Sequence, residues 1–214
     1  ILAAKILKIK ILIHEQNAVM GKTNRLLSCL TKNIALTFKN TKYAKNYSVH
    51  TGIPVRPKKK ADSKSKLKRI FVVGGSQGAK IFSKLVPRII KNFSSRSKQK
   101  LIVVQQVRAE DVELTKKSYK EMKIKSVIEN FFDDIYHQLN QADLIISRCG
   151  SSTLAEIELH NKFSVLFPLP SSTNNHQYHN AIEFKKNNQC LICDERELNL
   201  KKISMQIEKI VFKK

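Results

Sequence analysis

IFVVGGSQGAKIF, residues 70–82, runs from a β-branched apolar stretch through a glycine-rich turn into a helical pattern. The apolar stretch has no polar face, which is how a strand covered on both sides of a parallel sheet reads. Gly74 and Gly75 permit positive φ and close backbone approach, and the helix start beyond them offers free N–H groups and partial positive charge. Ser76 adds a hydroxyl. The turn reads either as a cradle for a diphosphate or simply as a tight strand-to-helix connection. It is not a Walker A loop, because the Gly-Lys-Ser/Thr ending is absent.

Outward from this unit the alternation repeats. Towards the carboxyl end, strands are expected at 100–106, 125–131, 143–150, 163–170 and 190–193. Helices are expected at 79–92, 109–122, 133–140, 152–159, 176–186 and from Leu200. Towards the amino end, 8–14, 33–38 and 47–53 read as strands and 21–30 as a helix. Strands alternating with helices imply βαβ units, a parallel sheet and an α/β fold. Between the two series lies PVRPKKKADSKSKLKR (54–69), with two prolines, eight basic residues and one acid. It offers too little apolar surface to bury and reads as a solvated linker. ILAAKIL (1–7) reads as the middle of an apolar helix with no capping residue ahead of it, so the chain is expected to begin inside a domain whose earlier part is missing or encoded elsewhere.

The chain has 214 residues, 42% of them apolar and 27% charged, which excludes wholesale disorder. No apolar run approaches a membrane span, and the Lys-interrupted start is not a signal peptide. Four cysteines make no disulfide scaffold, and the CxxC of CLIC (190–193) lies in an apolar run, where buried reduced thiols are expected. A reducing, cytosolic setting fits. The net charge of +23 points to anionic partners. It is spread along the chain (residues 1–53 carry nine Lys and Arg against one acid) with no aromatic-bearing RNA motif or recognition helix, which argues against specific nucleic-acid reading.

Ligands of doubly wound sheets sit beyond the carboxyl ends of the strands. The polar clusters HEQN (14–17), TGIPVR (51–56), GGSQGA (74–79), SRCGSST (147–153) and SSTNNHQYHNA (171–181) fall there. In SRCGSSTLAE, Ser151, Ser152 and Thr153 present hydroxyls and amides at a helix start. Glu156, three residues past Thr153, either closes a capping box or accepts from the two hydroxyls of a ribose. His176, Gln177 and Asn180 share a first helical turn suited to capping or to a sugar. His176 and His179 lack a third ligand, so no metal site is expected. His14 and Glu15 are adjacent past a strand and point different ways, so they are not read as an acid/base dyad.

In this order, HEQNAVMGKTNRLLS, TGIPVR, FVVGGSQGA, SRCGSSTLAE and NNHQYHNA resemble the MurG family, transferases that convert lipid I to lipid II with UDP-N-acetylglucosamine (UDP-GlcNAc) in peptidoglycan synthesis. The resemblance covers about residues 1–195. It implies a GT-B fold of two Rossmann-like domains with the active site between them. Residues 1–53 would be the tail of the N-terminal acceptor domain, 54–66 the linker, and 67–214 the donor-nucleotide domain without its final helices. It further implies that Ser76 touches the donor diphosphate with Arg56 nearby, and that the backbone at Phe132 meets uracil. Ser151, Ser152 and Thr153 would line the nucleotide and diphosphate site, and Glu156 would hold the ribose. Gln177 with His176 would contact the GlcNAc hydroxyls, and Asn17 would reach the sugar across the cleft. The implied reaction is metal-independent inversion with no cofactor, on the cytoplasmic face of the bacterial inner membrane, with an anionic lipid surface as a partner.

Departures from the family pattern also carry expectations. The loop GGTGGH, with the His that is a candidate general base, would lie before residue 1, so no catalytic residue is assigned in this chain. Gln105, Gln106, Val107 and Arg108 stand where the family tends to have His-Gln-Thr-Gly; Ile53 and Ile135 replace Asn and Met. The 214-residue chain alone is therefore expected to bind sugar donor weakly and to transfer little. The alternative is a non-catalytic UDP-sugar-binding half that needs a separately encoded N-terminal partner.

Overall fold

The computed structural model describes residues 1–56, 66–75 and 79–212. They form two parallel sheets. The smaller contains β1 (Ile13–Glu15), β2 (Ile34–Leu36) and β3 (Val49–His50), in that order. The larger contains β4 (Lys68–Val73), β5 (Leu101–Gln106), β6 (Lys125–Glu129), β7 (Leu144–Ser147), β8 (Ser164–Leu166) and β9 (Cys190–Ile192). Its order is β6-β5-β4-β7-β8-β9, and every pairing is parallel. The chain therefore winds one way from β4 and the other way from β7, so the strand order reverses between these two neighbours. That is the Rossmann order, and the point of reversal is where such sheets open a crevice for ligands.

Helices cover the larger sheet on both faces, and the period of two along β4 assigns each side chain to a layer. Ile70 and Val72 face a core with Phe82, Val86 and Ile89 of α3 (Lys80–Lys91), Tyr119 of α5 (Val112–Glu121) and Ile207 of α9 (Leu200–Phe212). Phe71 and Val73 face the other core, with Leu139 of α6 (Ile135–Gln141), Leu154 and Ile157 of α7 (Ser151–His160), and Ala181 and Phe184 of α8 (His176–Lys185). Short α4 (Ser95–Gln99) precedes β5. The small sheet has its own cluster of Ile13, Met20, Ile34 and Leu36, flanked by α2 (Lys22–Leu27).

The expected strand at 8–14 is largely absent. After α1 (Leu2–Ile6), Lys8 adopts positive φ, and the carbonyl of Ile11 is taken by the side chains of Thr31 and Asn33 rather than by a neighbouring strand. Pairing begins only at Ile13. Leu2, Ile6, Leu7 and Leu12 are all more than 60% exposed, while Ile11 and Ile13 pack on the small core. Most of the linker, residues 57–65, lies outside the described residues.

Candidate functional site

Val73, the last residue of β4, pairs with Ser147, the last of β7. The loops that begin at Gly74 and Arg148 therefore leave the sheet side by side at the switch point. Gly75 has φ +86°, a conformation that favours glycine. Ser76 lies outside the described residues, so only the start of its loop is placed. Gly150 is extended and serves as the N-cap of α7, with Ser151 buried, Ser152 exposed and Thr153 between. No side chain among the described residues bonds the amides of residues 151–153. The N-terminus of this ten-residue helix thus presents free N–H groups and its dipole to the crevice.

The capping alternative for Glu156 falls here. A capping box needs Thr153 at the N-cap, but Thr153 lies inside α7 and Glu156 is a full turn further in. The Glu156 carboxylate is instead half-buried and accepts from the Tyr136 hydroxyl (Oε1, 3.2 Å). That hydroxyl in turn accepts from the Arg56 N–H at 3.2 Å. Burial pushes the Glu156 carboxyl above its ordinary range, while the Tyr136 bond and the Arg56 charge pull it down. Arg56, Tyr136 and Glu156 thus form one group. Phe132, just before α6, has its ring edge-on to Phe71 (5.8 Å between centroids), so its side chain anchors the loop to the core.

A second group forms around Asn180, which is fully buried. Its Oδ1 accepts from the Ala18 N–H (2.7 Å), and its Nδ2 donates to Asn17 Oδ1 and to the Cys149 carbonyl, both at 3.1 Å. One side chain on α8 thereby ties the loop after β1 to the loop after β7. Gln177 Oε1 accepts from the amides of Cys149 and Leu169, each at 3.1 Å, which fixes the orientation of its amide. Its Nε2 has no partner among the described residues. His176 Nδ1 bonds the Thr173 carbonyl at 2.8 Å, a local closure of the turn.

Residues named by the sequence thus assemble in two groups, Asn17 with Gln177 through Asn180 and Cys149, and Arg56 with Glu156 through Tyr136. His14 and Glu15 diverge as expected. His14 Nε2 meets the Gly52 carbonyl and Thr37, while buried Glu15 accepts from the Asn17 and Gly21 amides and from Asn24 Nδ2. Glu15 therefore shapes the loop that presents Asn17. Gln105 and Gln106 are internal ties, Gln105 bonding the Phe82 carbonyl and the Tyr119 hydroxyl, and Gln106 the Asn130 carbonyl. Burial pushes the Cys193 thiol up to about 12 and raises Cys149 and Cys190 too, so these thiols stay protonated. Between the two sheets lies a cavity of about 480 Å³, lined in part by Phe38, Gly52, Val55, Ser151 and Leu154.

Two contributors were not singled out from sequence, and a third, Asn180, was named only as a first-turn residue suited to capping or to a sugar. Tyr136 sits at an apolar helical position and reads as core. Arg148 donates to Glu195 Oε2 at 3.0 Å and to the Phe167 carbonyl at 3.1 Å, and its guanidinium lies over the Phe82 ring, bracing the loop behind α7. Nothing local in the sequence pairs Arg148 with a residue 47 positions away.

The six-stranded parallel sheet with its β4/β7 switch point is a Rossmann-like α/β domain of the kind found in GT-B glycosyltransferases. The chain belongs to glycosyltransferase family 28, whose C-terminal domain matches residues 69–214. It is similar to UDP-N-acetylglucosamine–N-acetylmuramyl-(pentapeptide) pyrophosphoryl-undecaprenol N-acetylglucosamine transferases: 38% identical to that of Rickettsia bellii over 90% of this chain and 58% of the relative. It is also 40% identical to that of Wolbachia sp. subsp. Drosophila simulans over 85% of this chain and 53% of the relative. The crystal structure of Acinetobacter baumannii MurG superposes with a TM-score of 0.81 at 30% identity, covering 98% of this chain and 61% of that one. The chain thus spans somewhat more than half the length of these relatives.

Proposed function

We propose that this chain binds UDP-GlcNAc at the β4/β7 switch point and serves GlcNAc transfer to the polyprenyl-diphosphate acceptor lipid I, giving lipid II. The observation that supports the reading is that the glycine turn after β4 and the start of α7 leave the sheet side by side, with a half-buried carboxylate on the second turn of α7. In this reading residues 67–214 are the donor unit, 54–66 the linker and 1–53 the acceptor-side unit. Ser76, Ser151, Ser152 and Thr153 meet the diphosphate, and the Phe132 backbone meets uracil. Glu156 takes the ribose, with Arg56 beside it. Gln177 Nε2, held outward by its two amide bonds, and His176 face the sugar, and Asn17 reaches it from the other sheet.

The chemistry follows from charge. As the acceptor hydroxyl attacks the anomeric carbon, negative charge grows on the departing UDP diphosphate. The free N–H groups and dipole of α7 are placed to stabilise it. The test is competition at the site. UDP-GlcNAc and UDP should displace one another while dTDP competes at least tenfold more weakly, and equal competition by dTDP would contradict the assignment. Formation of lipid II from lipid I then measures transfer.

An anionic membrane surface on the cytoplasmic side is the proposed place of action. No helix of the described residues is long and apolar enough to cross a membrane. The exposed Leu2, Ile6, Leu7 and Leu12 alternate with Lys5, Lys8 and Lys10, a combination suited to an acidic lipid surface. Retention on phosphatidylglycerol vesicles that is lost at high salt supports this, and equal retention on neutral vesicles contradicts it. The same exposed apolar face supports a second reading, a non-catalytic half that needs a separately encoded N-terminal partner. Lipid II formation restored only on mixing with such a partner would favour it.

A further inference from the structure

We propose that Tyr136 is a positioning residue for sugar-nucleotide binding, orienting the Glu156 carboxylate towards a ribose and fastening the Arg56 segment to the same point. The inference rests on the reading of Glu156 as the ribose acceptor and goes beyond it by assigning what holds that carboxylate.

The direction of the bonds is fixed by chemistry. A backbone N–H can only donate, so the Tyr136 oxygen accepts from Arg56. An ionised carboxylate can only accept, so the single phenol proton is committed to Glu156 Oε1. Oε2 has no partner among the described residues and is left to accept from a ligand. The ring that carries the phenol is 8% exposed and packs against His160, 5.7 Å between centroids. His160 Nδ1 bonds the Glu156 carbonyl at 2.7 Å. Tyr136 is therefore clamped to the same turn of α7 whose carboxylate it orients.

A half-buried carboxylate with no fixed donor would sample several rotamers and would favour its protonated form, and either change weakens a bidentate grip on two hydroxyls. The groups facing Glu156 are Tyr136 from α6, Arg56 from the 51–56 segment and His160 on its own helix. Of these, Tyr136 makes the hydrogen bond to the carboxylate. Because the same oxygen holds the Arg56 amide, seating a ribose on Glu156 and placing the Arg56 guanidinium become one event.

The experiment measures binding of UDP and 2′-deoxy-UDP to the 214-residue chain, to Tyr136→Phe and to Glu156→Gln, across pH. Tyr136→Phe keeps the ring and removes only the hydroxyl. It should weaken UDP about 10- to 100-fold, the range expected for a hydrogen bond to a charged group, and leave 2′-deoxy-UDP less affected. Its loss of UDP binding on acidification should begin at higher pH than in the unsubstituted chain, because a bond favouring the charged carboxylate is gone. Preference for UDP over 2′-deoxy-UDP, taken as a ratio within one variant, does not depend on how much of that variant is folded. If Glu156→Gln loses the preference while Tyr136→Phe retains both preference and pH midpoint, the positioning role is wrong and the ribose reading stands. If Glu156→Gln keeps the preference, the ribose reading fails and takes this inference with it.

Discussion

Glu156 shows what burial demands of a carboxylate. Burial raises its pKa, so the folded chain holds the proton more tightly than the unfolded one. For a group shifted in that direction, stability falls as pH rises from the unfolded value through the folded one, and the ionised group remains unfavourable at neutral pH. Glu156→Gln should therefore unfold at higher urea concentration than the unsubstituted chain at pH 7, with the difference shrinking as pH drops below the ordinary carboxylate range. An unchanged difference at low pH would mean that ionisation is not the cause. Asn180 is the opposite case, a polar side chain with every bond satisfied inside the protein. Asn180→Ala strands the Ala18 N–H and the Cys149 carbonyl in a buried place and should cost about 2–3 kcal/mol in chemical unfolding. It should also weaken UDP-GlcNAc binding, since the loops before α2 and α7 lose their common tie.

Among elements, α7 does the most, and it was the easiest to find and to misread. The alternation of β-branched runs with helical patterns is a strong local signal, and the six strands of the larger sheet lie where the apolar runs place them. The capping-box spacing of Thr153 and Glu156 left two readings open, and the capping one closes because the helix starts two residues earlier, at Ser151 behind Gly150. Spacing alone cannot locate the first turn when several small polar residues precede it. At 8–14 the apolar content was visible, but whether it pairs depends on which groups reach the Ile11 carbonyl, and Thr31 and Asn33 do so from twenty residues away. Long-range partnerships escaped for the same reason. Tyr136 with Glu156 and Arg148 with Glu195 are joined only by the fold. The second is an ion pair whose side chains are 12% and 14% exposed. Glu195→Ala leaves the Arg148 charge buried behind the loop that starts α7 and should cost about 3 kcal/mol in thermal or urea unfolding, with little salt dependence. A change below about 1 kcal/mol would show the pair to be no more than a surface contact.

At the scale of the whole molecule, two sheets meet over one crevice. Among the described residues the hydrogen bonds between them are specific: Asn17 and Ala18 to Asn180, Asn40 to Glu183, Lys42 to His179, and Arg56 to Tyr136. Two of these pass through residues next to the proposed ligand, so ligand binding and the mutual placement of the sheets are linked. The strand order put the crevice between β4 and β7 before any side chain was considered, and that reversal is what gives the scattered motifs a common location. Calorimetric titration of the purified chain with UDP-GlcNAc, beside Glu156→Ala, tests this most directly. Saturable 1:1 binding to the unsubstituted chain and a loss of at least tenfold in affinity on substitution are expected. Equal affinity for both chains would contradict the proposed site.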